Sequence, residues 1–215
     1  EVELALLEHC IRDNLNYSAE RRLAVLKPLK VVIENFPEGK IEWLPALNKP
    51  NSDKQEQREI PFSREIWIEQ DDFMEEPSKK FFRLAPGKEV RLRYAFFVTC
   101  NAVIKDEDGE IVELRCSYDP ETRGGNAPDG RKVKGTIHWV SAEHAKDAEV
   151  RIYNSFYNTP SPGRERDFIE DINPNSLEVL ENCKIEPDLI ALDDNVPIQF
   201  ERLGYFYKDP DTKPE

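Results

Sequence analysis

Cationic and aromatic side chains are concentrated in one stretch of the sequence, Lys79–Arg93. Six lysines and arginines stand there against a single carboxylate, that of Glu89, and Phe81, Phe82 and Tyr94 are interleaved with them or follow directly. Cations that meet phosphates and rings that stack on unpaired bases are suited to a single-stranded nucleic acid. The alternative is a solvated strand face whose rings turn into the core. The composition leaves both interpretations open.

The remainder of the chain is strongly acidic. The whole chain of 215 residues carries 30 Lys+Arg and 43 Asp+Glu, which gives a formal charge of −13 even with the basic stretch included. An acidic body lowers unspecific attraction to nucleic acids, while a local basic patch keeps its attraction for phosphates. A second basic group, on an expected strand, consists of Arg131, Lys132 and Lys134.

Residue patterns of the common catalytic and metal sites are missing from the sequence. It has neither GxGxxG nor GxxxxGK[ST], so it shows no phosphate cradle. Three histidines and four scattered cysteines offer no zinc spacing and no supported nucleophile–base pairing. Pairs of neighbouring carboxylates are typical of a solvated rim. We therefore assign no catalytic residue, no metal ligand and no cofactor to this chain.

Composition also indicates a compartment. No stretch approaches the roughly 20 apolar residues that a membrane span needs, and the first residues have no basic, cleavable leader. Scattered cysteines in a chain of this size are typical of core residues in a reducing compartment, although an even number leaves disulfides open. We expect a cytoplasmic protein without membrane association. Because the chain begins inside an amphipathic pattern without Met, we expect it to be part of a longer protein.

The first residues are expected to be helical. Leu4, Leu7, Ile11 and Leu15 recur at steps of three and four, which predicts a helix from about Val2 to Asn14. A second short helix is expected to start at a Ser18 cap and to stop before Pro28.

From residue 30 onward the pattern indicates β-structure. The expected strands lie at 30–36, 41–44 and 64–69, in a hairpin over 88–118 that turns at Asp108-Gly109, and at 132–140, 149–156 and 197–207. Sixteen prolines, no βαβ rhythm and no repeat favour antiparallel barrels or sandwiches. We predict a mainly β fold, two antiparallel β-barrel modules preceded by a short α-helical segment.

Several longer runs of residues resemble one known family. They are Gly87–Phe96 (GKEVRLRYAF), Asp129–Ala142 (DGRKVKGTIHWVSA), Glu149–Tyr153 (EVRIY), Ile172–Leu177 (INPNSL) and Gln199–Phe206 (QFERLGYF). These runs resemble the C-terminal half of glutaminyl-tRNA synthetases, and the resemblance covers essentially the whole chain. Glutamyl-tRNA synthetases of the eukaryotic and archaeal type share this architecture and are the nearest alternative.

The resemblance implies a domain layout and a function. Residues 1–28 would be a helical segment that follows the catalytic core, and residues 29–215 an anticodon-binding region of two β-barrels. The distal barrel would centre on about 60–155, and the chain would return to the proximal barrel in about 156–215. The parent would attach glutamine to its tRNA with ATP and Mg²⁺. Because the family's ATP-site motifs are missing and the single methionine is Met74, this portion would be catalytically inactive.

The resemblance also implies which residues meet the anticodon loop of glutamine tRNA, with the protein a monomer. Arg93 would meet the first anticodon base, with Arg91 on the neighbouring phosphate. Arg83 would meet the third base. Arg21 and Gln199 would share the middle base. Further residues near the loop would be Arg202, Asn16 and Asn48.

Two positions depart from the family pattern, Lys80 and Phe82, where a Gln and a Lys are usual. With these residues, the polar contacts to the third base that the family pattern implies are not assured, and Phe82 could stack on a base instead. Arg21 and Gln199 belong to opposite ends of the chain, so sharing one base requires the two ends to meet. Interpretations from other classes are a protein-interaction β module and a small hydrolase.

Overall fold

The computed structural model describes residues 4–212. Its α-helix, α1 (Leu4–Ser18), runs one turn beyond the predicted end at Asn14. The Ser18 hydroxyl donates to the Asn14 carbonyl at 3.2 Å, so this residue closes α1 instead of capping a second helix. Val2, where the helix was expected to start, lies outside the described residues. Within residues 4–212, no helix is both long and apolar enough to span a bilayer.

The second predicted helix, from Ser18 to Pro28, is wrong. Two short strands, β1 (Glu20–Arg22) and β2 (Ala24–Val25), occupy this stretch. Residues 19–25 are all buried, whereas a surface helix buries only one face. The strands pair with segments from the far end of the chain, which a local periodicity does not reveal. Helical structure in the expected 1–28 segment therefore ends at Ser18.

The rest of the chain is built from short strands. In order they are β3 (Pro28–Ile33), β4 (Glu42–Leu47), β5 (Gln57–Phe62), β6 (Glu65–Glu69), β7 (Glu89–Leu92), β8 (Phe97–Lys105), β9 (Ile111–Asp119), β10 (Thr136–Ile137), β11 (Val140–Ser141), β12 (Lys146–Tyr153), β13 (Leu177–Ile185), β14 (Ile198–Phe200) and β15 (Gly204–Phe206). Short 3-10 turns lie at Gln70–Asp72, Pro120–Thr122, Phe168–Asp171 and Pro187–Ala191. The sequence did not predict β5 and β13, and the expected strand at 132–140 divides into β10 and β11.

A seven-stranded sheet forms the largest part of the fold. Its order is β10-β7-β8-β9-β3-β6-β11, and it curls into a half-barrel. Smaller sheets have the orders β1-β14-β15, β12-β13-β2 and β4-β5. The mainly β prediction is confirmed, and most strand pairs are antiparallel as expected. The pairs β1–β14, β10–β7 and β3–β9 are parallel, because long connections return the chain in the same direction.

Two separate apolar clusters fill the molecule. The larger one lies inside the seven-stranded sheet, where the Phe62 ring contacts Phe36, Phe96 and Trp139 with centroids 5.0–5.2 Å apart. The smaller one joins β2, β13 and β14 around residues such as Phe200. Two clusters are consistent with β-barrel modules. The boundaries proposed for them, about 60–155 and 156–215 within residues 29–215, remain predictions.

The predicted hairpin over 88–118 exists, but its first strand is interrupted. The strand β7 ends at Leu92 and β8 begins at Phe97, with a turn between them in which Tyr94 has a φ of +64°. The backbone N–H of Leu92 donates to the Phe96 carbonyl at 2.8 Å across that turn. At the opposite end, Gly109 has the positive φ (+85°) expected of the Asp108-Gly109 turn. The interruption places Arg93 in a turn instead of on a strand.

Candidate nucleic-acid interface

Strands from the two ends of the chain bring Arg21 and Gln199 together. The strands β1 and β14 pair in parallel, and Arg21 and Gln199 are opposite each other in the register. Neighbouring strands lie about 4.8 Å apart, so the two residues lie side by side on the edge strand β1 and the central strand β14. The Gln199 Oε1 atom is buried and has no hydrogen-bond partner among residues 4–212. The expected meeting of the chain ends is confirmed, and the role of the two side chains remains a prediction.

Both candidate asparagines lie beside Arg21. Its Nη2 atom donates to the Asn16 backbone carbonyl at 3.1 Å and to Asn16 Oδ1 at 2.9 Å. The Arg21 backbone N–H donates to the Asn48 carbonyl at 2.7 Å. Because Asn16 holds one terminal nitrogen, the guanidinium has a defined orientation beside Gln199. The structure thus brings four of the predicted residues, Asn16, Arg21, Asn48 and Gln199, into one group.

A buried ionic network lies next to this group. Glu186 accepts from Arg58 Nε at 2.7 Å and from Arg58 Nη2 at 3.0 Å, and it lies 3.3 Å from Arg22 Nε. Arg22 Nη1 donates to Glu20 Oε2 at 2.9 Å. Burial raises the pKa of Glu186, while the two arginines oppose that rise. The network ties β1 to β5 and to the end of β13, which holds Arg21 in place.

Arg93 has its backbone fixed on both sides. Its N–H donates to the Ile137 carbonyl at 2.9 Å, and its carbonyl accepts from Trp139 Nε1 at 2.9 Å. Trp139 is a buried core residue. Its indole N–H nevertheless positions a candidate binding residue, a role that the sequence gave no reason to assign.

The side chain of Arg93 is held by two further residues. Its Nε forms an ion pair with Glu201 Oε2 at 2.7 Å, without the alignment of a hydrogen bond, and its guanidinium carbon lies 4.9 Å from the centre of the Tyr94 ring. The Tyr94 hydroxyl donates to Glu201 Oε1. Burial and the Glu201 charge raise the pKa of Tyr94 to about 12. Burial lowers the pKa of Arg93, but Glu201 and Tyr94 together outweigh this effect and the net pKa is raised.

Arg83 and Arg202 share one buried carboxylate, that of Asp72. Arg202 donates to it twice, from Nη1 at 2.6 Å and from Nη2 at 2.8 Å, and Arg83 Nε lies 3.4 Å away. Arg202 Nη1 also lies 2.9 Å from His138 Nδ1. The terminal nitrogens of Arg202 are therefore already engaged. Arg83, with its side chain 46% exposed, is the more accessible of the two.

Arg91 differs from the neighbouring arginines Arg83, Arg93 and Arg131 because no carboxylate among the described residues pairs with it. Its guanidinium lies over the Phe97 ring, 5.5 Å from the centre, and its Nε is buried without a hydrogen-bond partner in residues 4–212. Nearby Arg131 is neutralised by three carboxylates, those of Glu89, Asp119 and Asp129. An unneutralised guanidinium of this kind can attract a phosphate.

Phe82, one of the two departures from the family pattern, is 51% exposed. The Nζ atom of Lys134 lies 4.8 Å from the centre of its ring. An exposed ring next to a cation can stack on a base beside a phosphate. The interpretation that the rings of the basic stretch all turn into the core is thus wrong at this position.

The segment 199–202 links these groups. It contributes Gln199 beside Arg21, Glu201 beside Arg93 and Arg202 beside Arg83, although Arg21 is more than 60 positions away in sequence from Arg83 and Arg93. Sequence reasoning missed the residues that hold the arginines. These are Glu20, Asp72, Tyr94, His138, Glu186 and Glu201, together with Trp139. Glu69 acts one step further away, since its Oε1 lies 3.3 Å from His138 Nε2.

Comparisons with known proteins agree with this geometry. The family described as tRNA synthetases class I (E and Q), anti-codon binding domain, matches residues 19–119, and a second family with the same description matches residues 136–209. The glutamine–tRNA ligase of Bradyrhizobium diazoefficiens is 59% identical over 213 residues, 99% of this chain and 38% of that protein.

The glutamine–tRNA ligases of Nitrobacter winogradskyi and Aliivibrio fischeri are 55% and 53% identical, over 99% and 97% of this chain and 38% of each relative. The chain therefore spans somewhat more than a third of the length of these relatives. With two family matches that together cover most of its length, the chain belongs to the anticodon-binding domains of the class I tRNA synthetases for glutamate and glutamine.

Proposed function

We propose that the chain is the anticodon-binding part of a glutamine–tRNA ligase and that it binds glutamine tRNA through the anticodon loop. The observation that carries this proposal is the in-register pairing of Arg21 with Gln199, whose buried Oε1 has no partner within the described residues. A buried acceptor without a donor is costly, and a base edge that donates to it removes this cost.

Each predicted residue has a role in this proposal. Arg21 and Gln199 read the middle base, because a guanidinium offers donors and an amide offers a donor and an acceptor to a uracil edge. Arg93 meets the first base and Arg83 the third, and both side chains are more than two-fifths exposed. Unpaired anticodon bases expose their Watson–Crick edges, so no duplex has to be deformed.

The remaining predicted residues support the loop. Arg91 binds the phosphate next to the first base, consistent with its lack of a carboxylate partner among the described residues. Asn16 and Asn48 orient Arg21. Arg202 acts mainly through Asp72, since its terminal nitrogens are engaged there.

The chemistry of the parent ligase belongs elsewhere in the protein. Attaching glutamine to tRNA would require ATP with Mg²⁺. Residues 4–212 include no group of three or more His, Cys, Asp or Glu side chains placed to hold a metal ion, and the sequence has no phosphate-cradle motif. We therefore assign the binding of ATP and Mg²⁺ to the rest of the parent protein. We assign the parent to the cytoplasm and expect this part to act as a monomer.

Filter binding of the chain to glutamine tRNA at several salt concentrations tests the proposal. Glutamate tRNA and an unrelated tRNA serve as competitors. Neutralising phosphates makes log K fall with log salt by roughly 0.7–0.9 per contact, so we expect a steep slope and a preference for glutamine tRNA. Equal affinity for all three tRNAs would contradict the proposal, and a preference for glutamate tRNA would favour a glutamyl enzyme.

A matched pair of variants sharpens the test. Arg93→Ala should weaken binding to glutamine tRNA by about 1–3 kcal/mol if the side chain contacts a base. Arg115→Ala is the control, because Arg115 Nε lies 2.7 Å from Glu113 Oε1, the same distance that separates Arg93 Nε from Glu201. If both variants lose the same binding free energy, Arg93 contributes only a general surface charge and makes no base contact.

A further inference from the structure

We propose that Glu201 is a positioning residue that, together with Tyr94, fixes the Arg93 side chain so that its terminal nitrogens discriminate the first anticodon base. This inference rests on the proposed function, which supplies the ligand. It goes beyond that function because it assigns base discrimination to a carboxylate that does not face the base.

Glu201 is a buried carboxylate that divides its two oxygens between consecutive residues. Its side chain is 7% exposed, and its Oε2 lies 2.7 Å from Arg93 Nε. Its Oε1 accepts the Tyr94 hydroxyl, from a residue 107 positions earlier in the sequence. Each oxygen thus has one partner among the described residues, Arg93 for one and Tyr94 for the other. A role for Glu201 must act through Arg93 and Tyr94.

Two strained turns meet at this contact. Within residues 4–212, Tyr94 (φ +64°) and Arg202 (φ +70°) are the non-glycine residues with positive φ. Such a conformation is unfavourable for a residue with a Cβ atom and persists only where the surroundings fix it. Here one strained residue donates to Glu201 and the other follows it directly. Strain of this kind on both sides of a single carboxylate indicates a functional constraint.

The surrounding contacts keep both turns rigid. The Arg93 backbone is bonded on one side to Ile137 and on the other to Trp139. On the opposite turn, Arg202 donates twice to buried Asp72. Neither turn can shift without breaking these bonds, so the distance between Arg93 and Glu201 is set before any ligand binds.

The geometry leaves the useful part of Arg93 free to face a ligand. Glu201 contacts Nε, and an arginine held at Nε still presents its two terminal nitrogens, which match the acceptor edge of a base. The Tyr94 ring, 4.9 Å from the guanidinium carbon, restricts rotation of the plane. A side chain that is already ordered loses less conformational entropy on binding. Removing the Glu201 charge or the Tyr94 hydroxyl should therefore reduce the preference for the natural first anticodon base more than it reduces the overall affinity for tRNA.

The experiment measures a ratio of affinities with the whole chain. Dissociation constants are determined for glutamine tRNA with its natural first anticodon base and for the same tRNA with that base replaced by adenine. The variants are Glu201→Gln, which keeps the shape and removes the charge, and Tyr94→Phe, which keeps the ring and removes the hydroxyl. Glu113→Gln is the matched control, because its carboxylate also pairs with an arginine Nε at 2.7 Å.

We expect the wild-type chain and Glu113→Gln to prefer the natural first base by the same ratio. Glu201→Gln and Tyr94→Phe should each reduce that ratio by about fivefold or more, which is the range of a specific base contact. In an Arg93→Ala background, Glu201→Gln should change the ratio no further, since Glu201 acts only through Arg93.

Other results would overturn the inference. If both variants weaken binding to the two tRNAs equally, Glu201 only ties two turns together. If Glu201→Gln does not fold, Tyr94→Phe alone must still lower the ratio, or the positioning role is rejected. If the wild-type chain prefers neither glutamine tRNA nor its natural anticodon, the proposed function fails and the inference fails with it.

Discussion

Replacing Arg21 and Gln199 by alanine, singly and together, tests whether these two side chains serve one base. They lie opposite each other in the β1–β14 pair, and the Gln199 Oε1 atom is buried without a partner among residues 4–212. If both contact the middle base, the free energies lost in the two single variants cannot be independent. Two side chains that bind separate groups would instead give additive losses.

The magnitude follows from what each residue offers. A ligand N–H that satisfies the buried Gln199 oxygen is worth about 1–3 kcal/mol, and a charged hydrogen bond from Arg21 about 1.5–3 kcal/mol. Removing either residue weakens the hold on the same base, so we expect a coupling of about 0.5–3 kcal/mol in a double-mutant cycle. A uracil presents both a donor and acceptors, whereas cytosine reverses part of that pattern. A tRNA with cytosine at the middle position should already lose most of this energy.

Equilibrium binding to glutamine tRNA is the assay, with unfolding curves of each variant as a check on the fold. The control cycle combines Gln199→Ala with Arg115→Ala, a half-buried arginine on β9, and should be additive within about 0.3–0.5 kcal/mol. The shared-base reasoning is refuted if the Arg21 and Gln199 losses are strictly additive on the natural tRNA. It is also refuted if the cytosine-substituted tRNA remains as sensitive to both variants as the natural one.

Three further predictions concern stability and titration. Glu186→Ala should destabilise the chain by about 3–5 kcal/mol in urea unfolding, because it leaves two buried arginines without their shared carboxylate. Tyr94 should ionise near pH 12 in an ultraviolet titration, and Tyr94→Phe should abolish that step. Because the pKa of Tyr94 is raised in the folded chain, the contribution of its hydroxyl to stability is present below pH 10 and is lost as the pH rises to about 12. Gly135→Ala should lower the thermal midpoint, since a Cβ there would lie 1.9 Å from the Phe82 backbone oxygen, and a midpoint equal to that of the wild type would show that the two segments separate easily.

Local sequence patterns predicted most of the fold class. They failed where the structure of a segment depends on pairing with strands far away in the sequence. The β-branched and aromatic residues of β6 predicted that strand, and the alternation from Val90 to Val98 followed by the Asp108-Gly109 turn predicted the hairpin. The segment 19–25 shows a helical spacing, but its strands exist because β13 and β14 return to pair with it. No local pattern contains that information.

The candidate site shows the same division. The residue types of Arg21, Arg93 and Gln199 and the resemblance of their surroundings made them predictable. The residues that orient them were not, because Glu201 is one carboxylate among 43 acidic residues and has no distinctive neighbourhood in the sequence. The positive φ of Tyr94 was equally hidden, since left-handed conformations are usually signalled by glycine or asparagine.

Chemical probing of the Watson–Crick edges in whole glutamine tRNA tests the central claim most directly. The three anticodon bases are unpaired and reactive in the free tRNA, and a bound base becomes inaccessible to the reagent. We predict that a saturating amount of the chain protects all three bases, and that Arg21→Ala restores reactivity mainly at the middle base. If the three bases stay as reactive as in free tRNA while the chain is bound, the chain does not recognise the anticodon and the account is wrong.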